Sequence, residues 1–372
     1  MKLLDRLPRA DQFRSPVHTP GVSARIGMWL GIAFGLCFAT GLLSHGIQHG
    51  PDWFTWPSRP ISLYRITQGV HVISGVAAIP LLLAKLWSVY PKLFERPAVR
   101  SIPHALERGS ILVLIGGAFF ELVTGLFNVA QNYPWRFYFP AAHYAVAWIT
   151  AGSLLLHIAV KLPIIREALG EKAPSDSGRS ALGRRHFLLG TGIAVGAAVL
   201  ATAGSTVPWL RRVSVLSWRS AGPALPVNRT AKAAAIEVPA GWQLTVRGRD
   251  RTVRLSLAQL AALPQTTAEL PIACVEGWSQ SATWTGVQIR QLISLVGASD
   301  TASVRIESLE KSGLYRASVL PAEHVGDPLT LLALRLDGEP LSPDHGYPCR
   351  IIAPSRPGVL QTKWVSTVEV RG

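Results

Sequence analysis

Across 372 residues, 37 Lys and Arg outnumber 22 Asp and Glu for a net charge of +15, and 48% of the residues are hydrophobic. That apolar fraction, with a mean hydropathy of +0.27, excludes a disordered polar chain and exceeds ordinary soluble usage; the length leaves room for two or three domains. The basic residues fall in short runs between apolar stretches rather than on one polar module, which argues against nucleic acid, and three cysteines without a CxxC pair indicate neither a zinc site nor a disulfide framework.

The first 24 residues are basic and broken by Pro8, Pro16 and Pro20, which predicts a cytoplasmic segment and no cleaved signal peptide. Four apolar stretches come next, near Ile26–His45, Ile66–Trp87, Ser110–Val129 and Ala141–Leu162. Each is long enough for a helix across a bilayer, which takes about 20 residues. Lys85, Lys92, Arg96, Arg100 and Arg108 lie between the second and third stretches, and Lys161, Arg166, Lys172, Arg179, Arg184 and Arg185 come after the fourth. Under the positive-inside rule this predicts a four-helix membrane domain over 1–170 with both ends inside. The opposite connections carry Trp53, Trp56, Tyr133 and Trp135, residues suited to the outer interface.

Histidines within such spans are costly and mark function. His143 and His157 are 14 residues apart, about 21 Å along a helix at nearly a whole number of turns, so one helix face would present an imidazole near each membrane surface. His71 lies 14 residues before Lys85 and His143 lies 18 before Lys161, which sets both in the outer half; by resemblance to b-type cytochrome subunits they are the expected axial pair of an outer haem. For His157, near the inner face, the available partner is His18; His45 competes with His71. The alternative has these imidazoles bonded to carbonyls between helices, and Glu121 reads as a packed carboxyl. The spacing resembles the b-type cytochrome subunits of respiratory formate dehydrogenases and hydrogenases, in which the fourth helix ligates two haems. That resemblance implies one or two haem b groups and electron exchange with quinone or quinol.

In Gly183–Ala203, Arg184-Arg185 precedes Phe187-Leu188 and a Gly- and Ala-rich apolar run, the form of a twin-arginine export signal placed internally over 171–208. A plain fifth anchor helix is the simpler alternative, and both readings place the chain after about residue 208 outside. Residues 209–235 read as a Pro-bearing linker. Over 236–372, strands at Leu244–Arg247, Val304–Glu307, Cys349–Ala353 and Val365–Val370 with helices at Ser256–Leu263 and Val287–Val296 predict one α+β domain.

Within that domain, PIACVEGWSQSATWTGV runs from Pro271 to Val287. Leu270, Ile272 and Ala273 read as a strand end and Gly277 as a turn, so Cys274 is presented at a loop mouth, where a thiolate can ligate a soft metal. An inert buried thiol is the bland alternative. CVEGWS, Trp284-Thr285-Gly286, PLSPDHGYPCRIIAPSRPG and the closing TKWVSTVEV together resemble the molybdopterin-binding domain of the sulfite oxidase family, on the side of the periplasmic protein-methionine-sulfoxide reductases. The resemblance implies that Cys274 coordinates molybdenum in a Mo-molybdopterin cofactor. It also implies that Asn228, Ser308, His345, Arg350, Gln361, Thr362 and Lys363 bind the pterin, with His345 standing where the reductases commonly have asparagine. The turn and basic strand residue in His345-Gly346-Tyr347-Pro348-Cys349-Arg350 have a form that holds phosphate. Cys349 is expected as a buried free thiol, Trp278 and Trp284 as packing beside the metal loop, and Tyr315, Glu276 and Arg356 as candidate substrate contacts.

The expectation is a multi-domain protein: an all-α transmembrane bundle of four helices plus a fifth export or anchor helix, then an α+β, sulfite-oxidase-like molybdopterin domain. It would sit in the inner membrane with the catalytic domain on the periplasmic side. There it would move an oxygen atom from a small-molecule or protein sulfoxide and exchange electrons with the quinone pool through haem b. Three other readings stand beside it: a sulfite dehydrogenase delivering electrons to haem, a non-catalytic membrane receptor or scaffold, and a cysteine hydrolase pairing Cys274 with His324 or His345.

Overall fold

Long runs of Leu, Ile, Val, Ala and Gly build five helices in the computed structural model, which describes residues 12–13, 15–51, 53–95, 97, 99–170, 179–217, 222 and 224–371. Residues 1–11 and 14 of the basic N-terminal segment, Arg96 and Lys172 lie outside the described residues. The helices are α1 (Pro20–His49), α2 (Leu63–Val89), α3 (Ile102–Val129), α4 (Phe139–Gly170) and α5 (Arg179–Ala203), and all five are long and apolar enough to cross a membrane. They outrun the apolar stretches because local chemistry extends them. In α3, Ser101 caps the first turn by accepting from His104 N at 3.3 Å, with Pro103 inside that turn, so the helix starts well before Ser110.

The chain divides into two compact units. The first takes in residues up to Gly41, Val70–Ala203 and Val213–Val215, and is helical. Helices α3 and α4 pack antiparallel within it: Glu107 pairs with Lys161 at one end and Thr124 meets His143 at the other.

The second unit takes in Leu42–Gly69, Gly204–Arg212 and Leu216–Gly372. Its strands are β1 (Gln243–Arg247), β2 (Thr252–Ser256), β3 (Thr266–Ala273), β4 (Ser279–Gln288), β5 (Ser303–Ser308), β6 (Ala317–Leu320), β7 (Leu331–Leu336), β8 (Glu339–Pro340), β9 (Arg350–Ile352) and β10 (Val365–Arg371). They form two five-stranded sheets, one ordered β2-β1-β10-β5-β6 and one ordered β3-β4-β7-β8 with β9 also on β7. The pair β1–β10 is parallel, bringing the C-terminal strand between β1 and β5. Three short helices are α6 (Leu257–Ala262), α7 (Ile289–Ser294) and α8 (Ala322–Val325), with Ser256 and Gln259 forming a capping box on α6. Alternation puts Leu244, Val246, Val304 and Ile306 into one core with Leu292 and Ile293 of α7, and a register shift between Val365 and Thr367 brings both Val365 and Val368 to it. A second core gathers Leu270, Ile272, Trp278, Trp284, Leu331 and Ile352 around Cys274.

Two expectations change here. The stretch expected as a linker carries Pro226, Val227, Asn228 and Arg229 into the wall of the cavity that Cys274 lines. The connection between α1 and α2, expected to place its tryptophans at a membrane interface, belongs to the sheet-bearing unit. There Trp56 Nε1 donates to the carbonyl and hydroxyl of Ser355, each at 2.9 Å, and Arg59 grips Asp327 through two bonds of 2.8 and 2.9 Å. Burial raises the Asp327 pKa, but the Arg59 bonds and Leu329 N outweigh it and hold the carboxyl below its ordinary value. Its contribution to stability is therefore present above the usual carboxylate range and lost as the pH falls through it. Asp327→Ala is expected to destabilise this unit by about 2 kcal/mol, read as a lower melting temperature; half-exposed Arg59 rehydrates, which keeps the cost below that of a fully buried pair.

Candidate active site

Strand β3 ends at Ala273 and the chain turns back on itself: Cys274 N donates to Trp278 O at 2.8 Å and Gly277 N to Cys274 O at 3.0 Å. Gly277 has φ 88°, a conformation that only glycine adopts freely. The turn holds Cys274 Sγ, 2% exposed, as acceptor from Asn228 Nδ2 at 2.8 Å and from Glu276 N at 3.5 Å.

Cys274 lines a cavity of about 190 Å³, and so do Asn228, Ser308, His345, Arg350, Gln361, Thr362 and Lys363. The structure thus brings together every expected molybdenum and pterin residue. Ser308 Oγ donates to Lys363 O at 2.8 Å, Thr362 Oγ1 meets Ser318 Oγ at 2.8 Å, and His345 spans Ser342 Oγ (Nδ1, 2.8 Å) and Leu225 O (Nε2, 3.0 Å). Gly346, φ 111°, lets the His345 turn lie against Arg350 and Lys363; a side chain there would meet their Cβ atoms at 3.0 and 3.2 Å.

The electrostatics are unbalanced toward cations. Arg350 donates to His345 O at 3.1 Å and Gln361 O at 3.3 Å, and its guanidinium lies 5.1 Å from the Trp284 ring centre. Its Nε and the Gln361 Oε1 are buried without partners. Burial pushes Arg350 down to about 9. Lys363 donates to Arg229 O at 2.6 Å and Asp344 O at 2.9 Å, and burial, then the charge of Arg350, pulls it down to about 7. An anionic, hydrogen-bonding group such as a pterin phosphate fits this lining, since it supplies both the charge and the acceptors that Arg350 lacks. Among the described residues no group of three or more His, Cys, Asp or Glu is arranged to hold a metal ion, so a metal at Cys274 must bring other ligands with it.

The Lys363 value carries a prediction. In the empty cavity Lys363 is charged below pH 7 and neutral above, whereas an anion would restore the charge. Cofactor binding should take up a proton, and affinity should weaken toward tenfold per pH unit above about 7, measured by reconstitution across pH. Lys363→Met should flatten that dependence.

Other expectations are corrected or extended. Arg356 does not line the cavity; it is 5% exposed and donates to Leu360 O and Val319 O, which makes it a loop brace. Glu276 accepts from Trp278 Nε1 at 3.3 Å, while Trp278 and Tyr315 do line the cavity. Cys349 is a buried free thiol whose pKa burial raises. For the hydrolase reading, both ring nitrogens of His345 are engaged away from Cys274, and His324 is 1% exposed and outside the cavity lining. Arg229, Glu310, Asp344 and Trp364 also line the cavity; nothing in their spacing signals it, except that Arg229 adjoins Asn228.

In the helical unit, the His71 and His143 ring centres are 6.5 Å apart. His71 Nδ1 lies 2.8 Å from Cys37 O, leaving Nε2 as the ring's other nitrogen, and His143 Nδ1 lies 3.1 Å from Thr124 Oγ1. Oriented Nδ1 atoms are what metal-binding imidazoles need. Glu121 Oε2 stands 3.1 Å from His143 Nε2, so this carboxyl competes for that nitrogen. His18 Nδ1 lies 3.3 Å from Ser88 O and its ring centre 6.2 Å from that of Trp87, whereas His157 lies near Lys85, Lys161 and Glu107. The His45 ring lies tilted against that of His49, at 5.1 Å between ring centres.

Residues 231–372 match the family model for the oxidoreductase molybdopterin binding domain. The uncharacterized oxidoreductase YuiH of Bacillus subtilis (strain 168) is 30% identical over 146 residues, 39% of this chain and 72% of that protein. The putative protein-methionine-sulfoxide reductase subunit YedZ1 of Azospira oryzae is 32% identical over 31% of this chain and 43% of that one. The protein-methionine-sulfoxide reductase catalytic subunit MsrP of Campylobacter jejuni is 24% identical over 34% of this chain and 48% of that one. The match thus spans less than half the length of the latter two.

Proposed function

Because the chain belongs to the family of molybdopterin-binding oxidoreductases, and is a molybdenum-dependent oxidoreductase, we propose that it reduces a sulfoxide in the Cys274 cavity with electrons drawn from quinol through haem b. The observation that carries the reading is the convergence of Cys274 and seven pterin-type residues on one cation-rich cavity that holds a buried, unpartnered Arg350 Nε. Cys274 would hold molybdenum. Arg350, Lys363 and His345 would seat the pterin phosphate, with Gln361, Thr362, Ser308 and Asn228 around the rest of the cofactor. When bound, this cofactor supplies the two-electron chemistry by which a sulfoxide gives up its oxygen, with two protons, as water. Asn228 Nδ2 donates to the sulfur and stabilises it as a thiolate. The protein-methionine-sulfoxide reductase names of two relatives support the reductive direction over sulfite oxidation.

Five helices of spanning length and apolarity support a multi-pass inner-membrane protein with its catalytic unit on the periplasmic face, and the Arg184-Arg185 run supports twin-arginine export. His71 and His143 would ligate one haem b, the Cys37 carbonyl and Thr124 hydroxyl orienting their rings. Glu121 would have to release His143 on binding. His157 and His18 would be the pair for a second haem b.

The test is metal and haem content of the detergent-solubilised protein, with turnover on methionine sulfoxide using reduced viologen and on sulfite using an artificial acceptor. Molybdenum, a Soret band and sulfoxide turnover are expected. His71→Ala and His143→Ala should each remove the Soret contribution of the first haem and His157→Ala should keep it. Sulfite turnover alone would reverse the direction, and a protein without molybdenum or haem would be the non-catalytic receptor.

A further inference from the structure

A line of side-chain hydrogen bonds crosses the second unit from the cavity wall to the turn after Cys274. Tyr315, which lines the cavity, has its hydroxyl 3.2 Å from Gln48 Oε1. Gln48 Nε2 lies 3.0 Å from Ser44 O and 3.2 Å from Ser44 Oγ, and Ser44 Oγ lies 3.0 Å from the Tyr64 hydroxyl. That hydroxyl is 3.5 Å from Gln68 Oε1, and Gln68 Nε2 donates to Val275 O at 3.1 Å. Tyr64 and Gln68 are 1% and 4% exposed, so these bonds face little competition from water.

Two backbone carbonyls set the direction of the line at its two glutamines. A carbonyl only accepts, so the N–H end of an amide must face it. Ser44 O therefore turns the Gln48 nitrogen toward itself and the oxygen toward Tyr315, whose hydroxyl must donate. Val275 O does the same to Gln68, whose oxygen then faces Tyr64. Between these two ends the Ser44 and Tyr64 hydroxyls lie 3.0 Å apart and either can donate to the other.

We propose that Ser44, Gln48, Tyr64 and Gln68 are positioning residues for oxygen transfer. They turn the Tyr315 proton away from the cavity, so that its oxygen meets the contents of the cavity as a hydrogen-bond acceptor, and they pin the carbonyl next to Cys274. The proposal rests on the reading of this cavity as the reaction site. An acceptor here suits the O–H of the water produced rather than the sulfoxide oxygen, which must find its donors elsewhere. All four residues come from Leu42–Gly69, so the first two helices complete the catalytic unit.

The full chain in detergent tests this. In Gln48→Glu the protonated acid reproduces the amide, donating to Ser44 O and accepting from Tyr315, whereas the carboxylate cannot donate. The titratable groups around position 48 are His45 and His49 on the same helix, Tyr64 on the second and Tyr315 on the catalytic side. All are present in the unaltered protein, so the ratio of variant to wild type isolates position 48. The ratio of kcat values on methionine sulfoxide is expected to fall about tenfold as the new carboxyl ionises, with KM moving less, while Gln48→Leu stays low at every pH. Independently of turnover, amide hydrogen exchange over residues 274–278 in cofactor-free protein should quicken about tenfold in Gln68→Leu. Tyr64→Phe, which keeps the ring in place, should give part of both effects. A flat Gln48→Glu ratio near one, or unchanged exchange in Gln68→Leu, overturns the proposal. Absent turnover in the unaltered protein would instead count against the proposed function, and the exchange measurement then decides this one.

Discussion

Replacing Cys274 by alanine is expected to strip molybdenum from the purified protein and lower sulfoxide turnover by about 10³-fold or more, the scale seen when a group that acts in the transition state is removed. The Soret band should be unchanged, because the imidazole pair lies in the other unit. Stability should fall by only about 1–2 kcal/mol, the cost of one small buried side chain and of the Asn228 bond that ends on its sulfur. Cys274→Ser separates the two effects. Its hydroxyl still accepts from Asn228 and restores most of the stability, but a hard oxygen is a poor substitute for thiolate toward a soft metal, so molybdenum stays absent. Full metal content in either variant would show that another residue holds the ion.

The second large effect is expected at Arg350, where stability and function should move in opposite directions. The guanidinium is 4% exposed, pushed down to about 9 by burial, and has one nitrogen without a partner. A buried charge in that condition is a burden on the empty fold. Arg350→Met keeps much of the volume against Trp284 and should leave the cofactor-free protein as stable as the wild type or raise its melting temperature. Cofactor affinity should fall by about 10²–10³-fold, as expected for loss of a desolvated charge-assisted contact of about 3–4 kcal/mol. Differential scanning calorimetry of the empty protein and reconstitution titrations read the two quantities separately. A variant that loses stability without losing affinity would make Arg350 a structural brace.

The parts of the molecule that show in the sequence are those whose signal is local. Five helices arise from unbroken apolar runs, and β1, β5, β9 and β10 from short apolar or alternating stretches. The place of Cys274 is legible in an apolar run ending just before a glycine turn. The hidden features depend on partners far away in the chain. Trp56 and Arg59 have the composition of an interfacial loop, and nothing near them announces Ser355 or Asp327. Arg229, Glu310 and Asp344 are ordinary turn and loop residues until the sheets bring them to one cavity. Arg356 misleads because a basic residue after a proline-flanked turn resembles a ligand contact, yet its donors are spent on Leu360 O and Val319 O. Pairing His18 with His157 rests on elimination along the helices, a criterion that knows depth but not azimuth.

The mixed ancestry of the sheet-bearing unit bears on biogenesis. That unit takes in Leu42–Gly69, made before residues 70–203, while its cysteine turn comes from a segment made after them. Maturation must therefore end with a late-arriving globule seating itself on a hairpin that has been waiting for it. Co-expressing the severed C-terminal half with the N-terminal half should accordingly yield far more loaded product than either fragment alone.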